Sequence, residues 1–210
     1  MDVNILTFVL LSTPILGAVI PIQKWQPGTR YRADSIRAQV KLELFIDLLC
    51  PDSGAVWPEA KRIAETYGED QVDLVVHQYP LPYHQHAHLA AQGFYLVQDL
   101  MNDTWAFNYM EWVLERSDLF RSPSTETRTT VEIKSFLAEY VRGIPGNRLS
   151  SAQFVRYVDF YRNPAVYAWK YGAQRGVSGT PWYFVNGVDL GISHALMYEE
   201  FSNLLDRLLN

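Results

Sequence analysis

Cysteine is almost absent from this chain: Cys50 is the only one in 210 residues. One thiol excludes an internal disulfide framework. In an oxidising compartment it leaves three fates: reactive, paired between chains, or buried and inert. An excess of basic charge is also missing. Eighteen Lys and Arg stand against 23 Asp and Glu, a net charge of −5 with no basic stripe, which argues against nucleic acid as a partner. There is no internal repeat and no low-complexity segment. The apolar stretch from Ile5 to Ile20 contains Pro14 and is too short for a comfortable membrane span, which takes about 20 residues.

That stretch reads instead as a secretory signal. Gly17 and Ala18 are small residues where a peptidase would cut, so residues 1–18 are expected to be a signal peptide. A buried N-terminal strand or an anchor is the alternative. The expected location is secreted or within the endoplasmic reticulum lumen, with no membrane attachment in the mature form. The triplet Asn102-Asp103-Thr104 is an N-glycosylation sequon, a slight addition to that reading.

What is present is apolar material for a core. Hydrophobic residues make up 48% and aromatic residues 14%, enough for a well-filled interior in one domain over residues 19–210. After an extended lead-in over Pro21 to Ser35, Val40 to Asp47 alternates as a strand, and Leu48 and Leu49 continue the apolar run into Cys50. A near-continuous apolar run suits a strand buried on both faces. Pro51 cannot continue a ladder, and Asp52 and Ser53 favour a helix start. That helix runs to about Tyr67, bent or restarted near Pro58, and Gly68 ends it. Val72 to Tyr79 is a second strand, which completes a βαβ unit with a parallel pair.

His86 to Leu100 follows as a helix, after which roughly seventy residues carry helical periodicity. Ala106 to Glu115, Val131 to Val141, Ala152 to Tyr161 and Pro164 to Arg175 are the expected helices of an inserted subdomain, about 104–176. Strands return at Trp182 to Val185 and Val188 to Ile192 around Asn186-Gly187, a type I′ hairpin signal. Ala195 to Leu209 is a closing amphipathic helix.

The order βαβ, helical insertion, ββα resembles the thioredoxin superfamily, and the insertion narrows the resemblance to its DsbA-like branch. Two motifs carry it. Cys50-Pro51-Asp52-Ser53 stands where the family has Cys-x-x-Cys, and Gly179-Thr180-Pro181 stands where it has its cis-proline loop. The second motif cysteine is replaced by Ser53, so the site is a degenerate, monothiol Cys-x-x-Ser. The resemblance implies that Cys50 is the nucleophile, that Thr180–Pro181 is cis, and that Thr180 offers backbone groups to a bound peptide or glutathione.

The residues themselves point the same way. A helix N-terminus stabilises a thiolate at Cys50. Ser53 Oγ, three residues on, is expected to donate a hydrogen bond to the sulfur, while the Asp52 carboxylate opposes the thiolate. The alternative is an inert cysteine at the end of a core strand. The candidate site is therefore Cys50 with Ser53 for catalysis, and Pro51, Asp52, Thr180, Pro181 and Trp182 for substrate. Trp57, Trp182 and Tyr183 either wall a groove or pack in the core. His84, His86 and His88 form a cluster in which His84 and His88, four apart, are expected to share a helical face; no metal set is assigned to them.

Three functions compete. The leading one is a monothiol thiol-disulfide oxidoreductase of the secretory pathway acting on protein or peptide thiols and disulfides, with no bound cofactor and glutathione as a candidate co-substrate. The second is a non-catalytic thioredoxin-fold binding module. The third is a kappa-like glutathione transferase or isomerase, weakened because Cys50 stands where a hydroxyl would be needed.

Overall fold

A computed structural model of the chain describes residues 27–32, 38–144, 149–192 and 198–210. The expected signal peptide and the start of the closing helix lie outside them.

The strand before Cys50 sits at the centre. β2 (Val40–Ile46) buries Leu42, Leu44 and Ile46 completely on one face and Phe45 completely on the other. That two-sided burial is what a near-continuous apolar run demands. β2 pairs in parallel with β3 (Val72–Gln78) and antiparallel with β4 (Trp182–Val185). β5 (Val188–Ile192) extends the sheet beyond β4. A two-residue strand not expected from the sequence, β1 (Thr29–Arg30), pairs antiparallel with the other edge at β3. The five-stranded order is β1-β3-β2-β4-β5.

α1 (Pro51–Tyr67) links β2 to β3 as one helix, with Pro51 in its first turn and Gly68 at φ 74° closing it. Pro58 lies within the helix. It removes the amide that would have bonded the Gly54 carbonyl. Between β3 and β4 the described chain is helical: α2 (Ala87–Leu100), α3 (Asp103–Glu115), α4 (Thr130–Leu137), α5 (Glu139–Arg142), α6 (Ser151–Tyr157) and α7 (Arg162–Gln174), with 3₁₀ turns at Ser117–Phe120 and Val158–Tyr161. Capping boxes at Thr129/Glu132 and Ser150/Gln153 start α4 and α6.

Two expected helices are shorter than their periodicity. The run Val131 to Val141 breaks at buried Ala138, whose carbonyl accepts from Ser151 Oγ of α6 at 3.0 Å. The run Ala152 to Tyr161 tightens into 3₁₀ geometry at Val158. α8 (Tyr198–Leu209) places Phe201 and Leu205 in the main core.

That main core joins one face of the sheet to α1, α8 and the helical segment. A smaller core of Phe45, Tyr79, Leu81, Val177 and Phe184 lies separately and ties the ends of β2 and β3 to the chain entering β4.

Candidate functional site

Cys50 occupies the N-cap of α1, in extended geometry at φ −81° and ψ 122°. Its carbonyl accepts from Gly54 N at 3.2 Å, so the thiol stands at the mouth of a four-turn helix whose first amides are unpaired by the helix itself. Across from it is a loop 130 residues away in sequence. Cys50 Sγ donates to the Thr180 carbonyl at 3.4 Å, and the Thr180–Pro181 peptide is cis. The two stretches are held together by the antiparallel pairing of β2 with β4, which puts Phe45 opposite Trp182. Cys50 is 5% exposed, and Thr180 and Pro181 are buried beside it. Pro51 and Asp52 are exposed in the first turn of α1. Trp182 is half-buried, its indole N–H bonded to Asp189 Oδ1 at 2.7 Å.

Ser53 does not bond the sulfur. It is fully buried, and its Oγ accepts from the Asp47 amide at 3.2 Å. The reason is positional: Ser53 lies one turn into α1, against the end of β2. Asp47 is the hub that the sequence reading passed over as a strand terminus. Its backbone carbonyl accepts from Cys50 N at 3.1 Å. Its carboxylate is 1% exposed as a residue and accepts from Leu49 N at 2.8 Å, Leu81 N at 2.9 Å and His84 Nδ1 at 2.6 Å. One buried side chain thus fixes the backbone before the cysteine, the Pro80-Leu81-Pro82 turn and an imidazole. Tyr83, on the same turn, has its phenol pushed up by desolvation and then by Cys50 and Asp47 nearby.

No protein-family model matches the chain, and no curated protein matches it. Solved structures do. DsbA from Chlamydia trachomatis superposes with a TM-score of 0.66 at 16% identity, covering 90% of this chain and 97% of that one. BdbD from Bacillus subtilis, in its oxidised form, gives 0.64 at 16% identity, covering 87% and 97%. The fold is thioredoxin-like, of the DsbA type. In that fold Cys50 sits at the first strand-to-helix junction and the inserted helices fall between β3 and β4.

The remaining candidates separate in space within this DsbA-like fold. His84 and His88 do not share a helical face, because α2 begins only at Ala87 and His84 lies in the preceding turn. His84 faces Asp47; His88 Nδ1 pairs with Gln92 Nε2 at 2.8 Å; His86 is buried with Nε2 unpaired. Desolvation pushes both His86 and His88 below the ordinary histidine value. Among the described residues no group of three or more His, Cys, Asp or Glu is arranged to hold a metal. Trp57 belongs to the core, stacked on Phe107 at 5.7 Å with its indole N–H on Glu111 Oε1. Tyr183 is likewise buried, against Phe201.

A second buried polar cluster also escaped the sequence reading. Glu43, in the middle of β2, receives His77 Nε2 at 3.1 Å, Arg175 Nη1 at 2.8 Å and Tyr171 OH at 3.3 Å, with Lys41 Nζ at 3.2 Å. Burial pushes the Glu43 carboxyl up, but the bonds from His77 and Arg175 outweigh it and hold it well below the usual carboxylate range. Burial pushes His77 down, against the pull of Glu43. The signal was available: an acidic residue inside a strand buried on both faces needs partners.

Proposed function

We propose that the chain is a thiol-disulfide exchange protein in which Cys50 is the sole nucleophile. The observation that carries this reading is the placement of Cys50 Sγ at the N-terminus of α1, 3.4 Å from the Thr180 carbonyl of a cis-proline turn. The turn presents backbone groups beside the sulfur, where an extended peptide can lie. The structural neighbours DsbA and BdbD support the same class of chemistry for this fold.

With Ser53 in place of a second cysteine, the exchange runs through an external thiol. The Cys50 thiolate attacks one sulfur of a substrate disulfide R–S–S–R′. The Cys50–S–R bond forms, the S–S bond breaks, and R′–S⁻ leaves and takes a proton from solvent. A second thiol R″–SH, having lost its proton, then attacks the Cys50–S–R bond. It releases R–S–S–R″ and regenerates the Cys50 thiolate. The protein ends unchanged, so no oxidant or bound cofactor is consumed. Glutathione fits the role of R″–SH. The secretory pathway is the setting we assign, on the signal-like residues 1–18; among the described residues no helix is long and apolar enough to cross a membrane.

Reshuffling of a disulfide substrate by the wild-type chain and by Cys50→Ser tests the proposal. Loss of exchange in the variant supports it, and full retention contradicts it. A second reading has its own observation: Cys50 is only 5% exposed and its S–H is already bonded to Thr180. A non-catalytic peptide-binding module has those features, and it would give a thiol that alkylates no faster than free cysteine.

A further inference from the structure

The thiol site makes no use of the sequon. Asn102-Asp103-Thr104 is the single Asn-x-Ser/Thr triplet in the 210 residues, and its middle residue is not proline. It falls at a tight junction between two long helices. α2 ends at Leu100, Met101 closes it, and α3 begins at Asp103, so Asn102 is the N-cap of α3. Its backbone is fully extended, at φ 178° and ψ 179°.

The two polar atoms of the side chain have different surroundings. Oδ1 accepts from Trp105 N at 3.0 Å, which satisfies one of the amides that the first turn of a helix leaves open. The backbone N–H is a donor, so the atom facing it is the oxygen and the nitrogen is the one turned away. Among the described residues nothing bonds that Nδ2. The neighbouring carboxylate is engaged elsewhere, since Asp103 Oδ1 accepts from Gln98 Nε2 at 2.9 Å. Asn102 and Thr104 are both exposed. An N-linked sugar replaces one hydrogen of Nδ2 and leaves Oδ1 as it is. Cap and modification therefore use different atoms of one amide.

The junction also lies far from the sulfur. α1 and α3 pack antiparallel. Pro51 and Gly54, at the start of α1, line one hollow with Glu115 and Asp118, at the end of α3 and just beyond it. Nearly two turns along α1, Trp57 stacks on Phe107 and bonds Glu111. Asn102 is thus at the end of α3 remote from Cys50, and the 13 residues between rise about 20 Å.

We infer that Asn102 is an N-glycosylation site whose glycan stands clear of the thiol cleft. The donor is an oligosaccharide carried on a lipid pyrophosphate. Nδ2 bonds the anomeric carbon, the carbon–oxygen bond to the carrier breaks, the pyrophosphate leaves, and one amide proton passes to solvent. The modification rests on the secretory setting assigned above; the choice of residue does not.

Two forms of the full chain, made in cells that build N-glycans, test it. One has its own N-terminus, and the other has an established cleavable signal ahead of Met1. Intact mass is compared before and after peptide N-glycosidase, which frees the glycan and leaves an aspartate in place of Asn102. Both forms are expected to lose mass. Thr104→Ser is expected to keep the glycan. Thr104→Ala and Asn102→Asp are expected to lack it, although aspartate preserves the cap. A glycan on the signal-led form alone supports the site and contradicts the native signal. An unmodified signal-led form, or a glycan that survives Asn102→Asp, overturns the inference. Alkylation of Cys50 is expected to run at the same rate with the glycan on or off, and a rate that rises on its removal contradicts the placement.

Discussion

His84 Nδ1 lies 2.6 Å from Asp47 Oδ2, and that carboxylate sits three residues before the thiol. A buried carboxylate with three donors is a rigid fixture, because each donor lost leaves charge unsatisfied at low dielectric. It is the reason the cysteine, the proline-rich turn and the histidine hold one arrangement.

Asp47→Asn keeps the shape and removes the charge that these donors share. Hydrogen bonds to charged groups contribute about 1.5–3 kcal/mol each, and the variant is expected to lose about one such bond's worth of stability. Urea denaturation followed by tryptophan fluorescence measures it. An unchanged midpoint would remove Asp47 from its role as hub.

Gly172 of α7 sits against the rings of Tyr79 and Phe45. A Cβ there would meet Tyr79 Cδ2 at 2.7 Å and Phe45 Cδ1 at 3.1 Å. Neither aromatic ring is a flexible tip, so Gly172→Ala is expected to cost about 1–3 kcal/mol through overpacking. It also displaces Tyr79, whose hydroxyl holds the Val177 carbonyl ahead of the cis-proline turn. The melting temperature and the Cys50 alkylation rate should therefore both change. A variant matching wild type in both contradicts the coupling.

Acid sensitivity follows from the Glu43 cluster. His77 is held below its ordinary 6.5 and Glu43 below its ordinary 4.5. Below each ordinary value the unfolded chain binds a proton that the folded chain resists, so stability falls as pH falls. Both contributions are complete above pH 6.5. The first declines below about 6.5 and the second below about 4.5. Glu43→Gln should remove the decline below about 4.5 while leaving the decline below about 6.5 at least as steep, because Glu43 opposes the burial of His77, and should cost about 3 kcal/mol, the low end for a broken buried pair because Arg175 and Lys41 are partly exposed. Thermal melts between pH 4 and pH 8 check both. A wild-type stability independent of pH across that range contradicts the cluster's charge state.

The sheet, the parallel pair and the Asn186-Gly187 hairpin were legible because apolar periodicity and turn chemistry are local. Asn186 and Gly187 both have positive φ, as a type I′ turn requires. The pairing of Cys50 with Thr180 was legible only through resemblance, since nothing local links residues 130 apart. Asp47 and Glu43 were missed because they interrupt an apolar run without breaking it, and the partners that reveal them, Leu81, His77 and Arg175, lie 34 to 132 residues away. The histidine face failed for a smaller reason. The helix starts three residues after His84, at Ala87, because the turn is fixed by Asp47 instead.

Ser53→Cys places a second thiol three residues into the helix, in a spot that is fully buried beside the N-cap. Residues three apart on a helix have Cβ atoms about 5–6 Å apart, so a small shift of the N-cap residue brings the pair within disulfide range. The variant should resolve its own mixed disulfide and stop accumulating it. Persistent accumulation would mean that position 53 cannot reach the sulfur.

The most direct measurement is intact-mass spectrometry of the wild-type chain after exposure to a glutathionylated peptide, with the reaction followed over time at pH 7. A monothiol Cys50 that works in exchange should form one mixed disulfide faster than free cysteine does, and should hold it until an external thiol is added. No adduct, or one formed no faster than with free cysteine, contradicts the exchange function and leaves the site as a binding cleft.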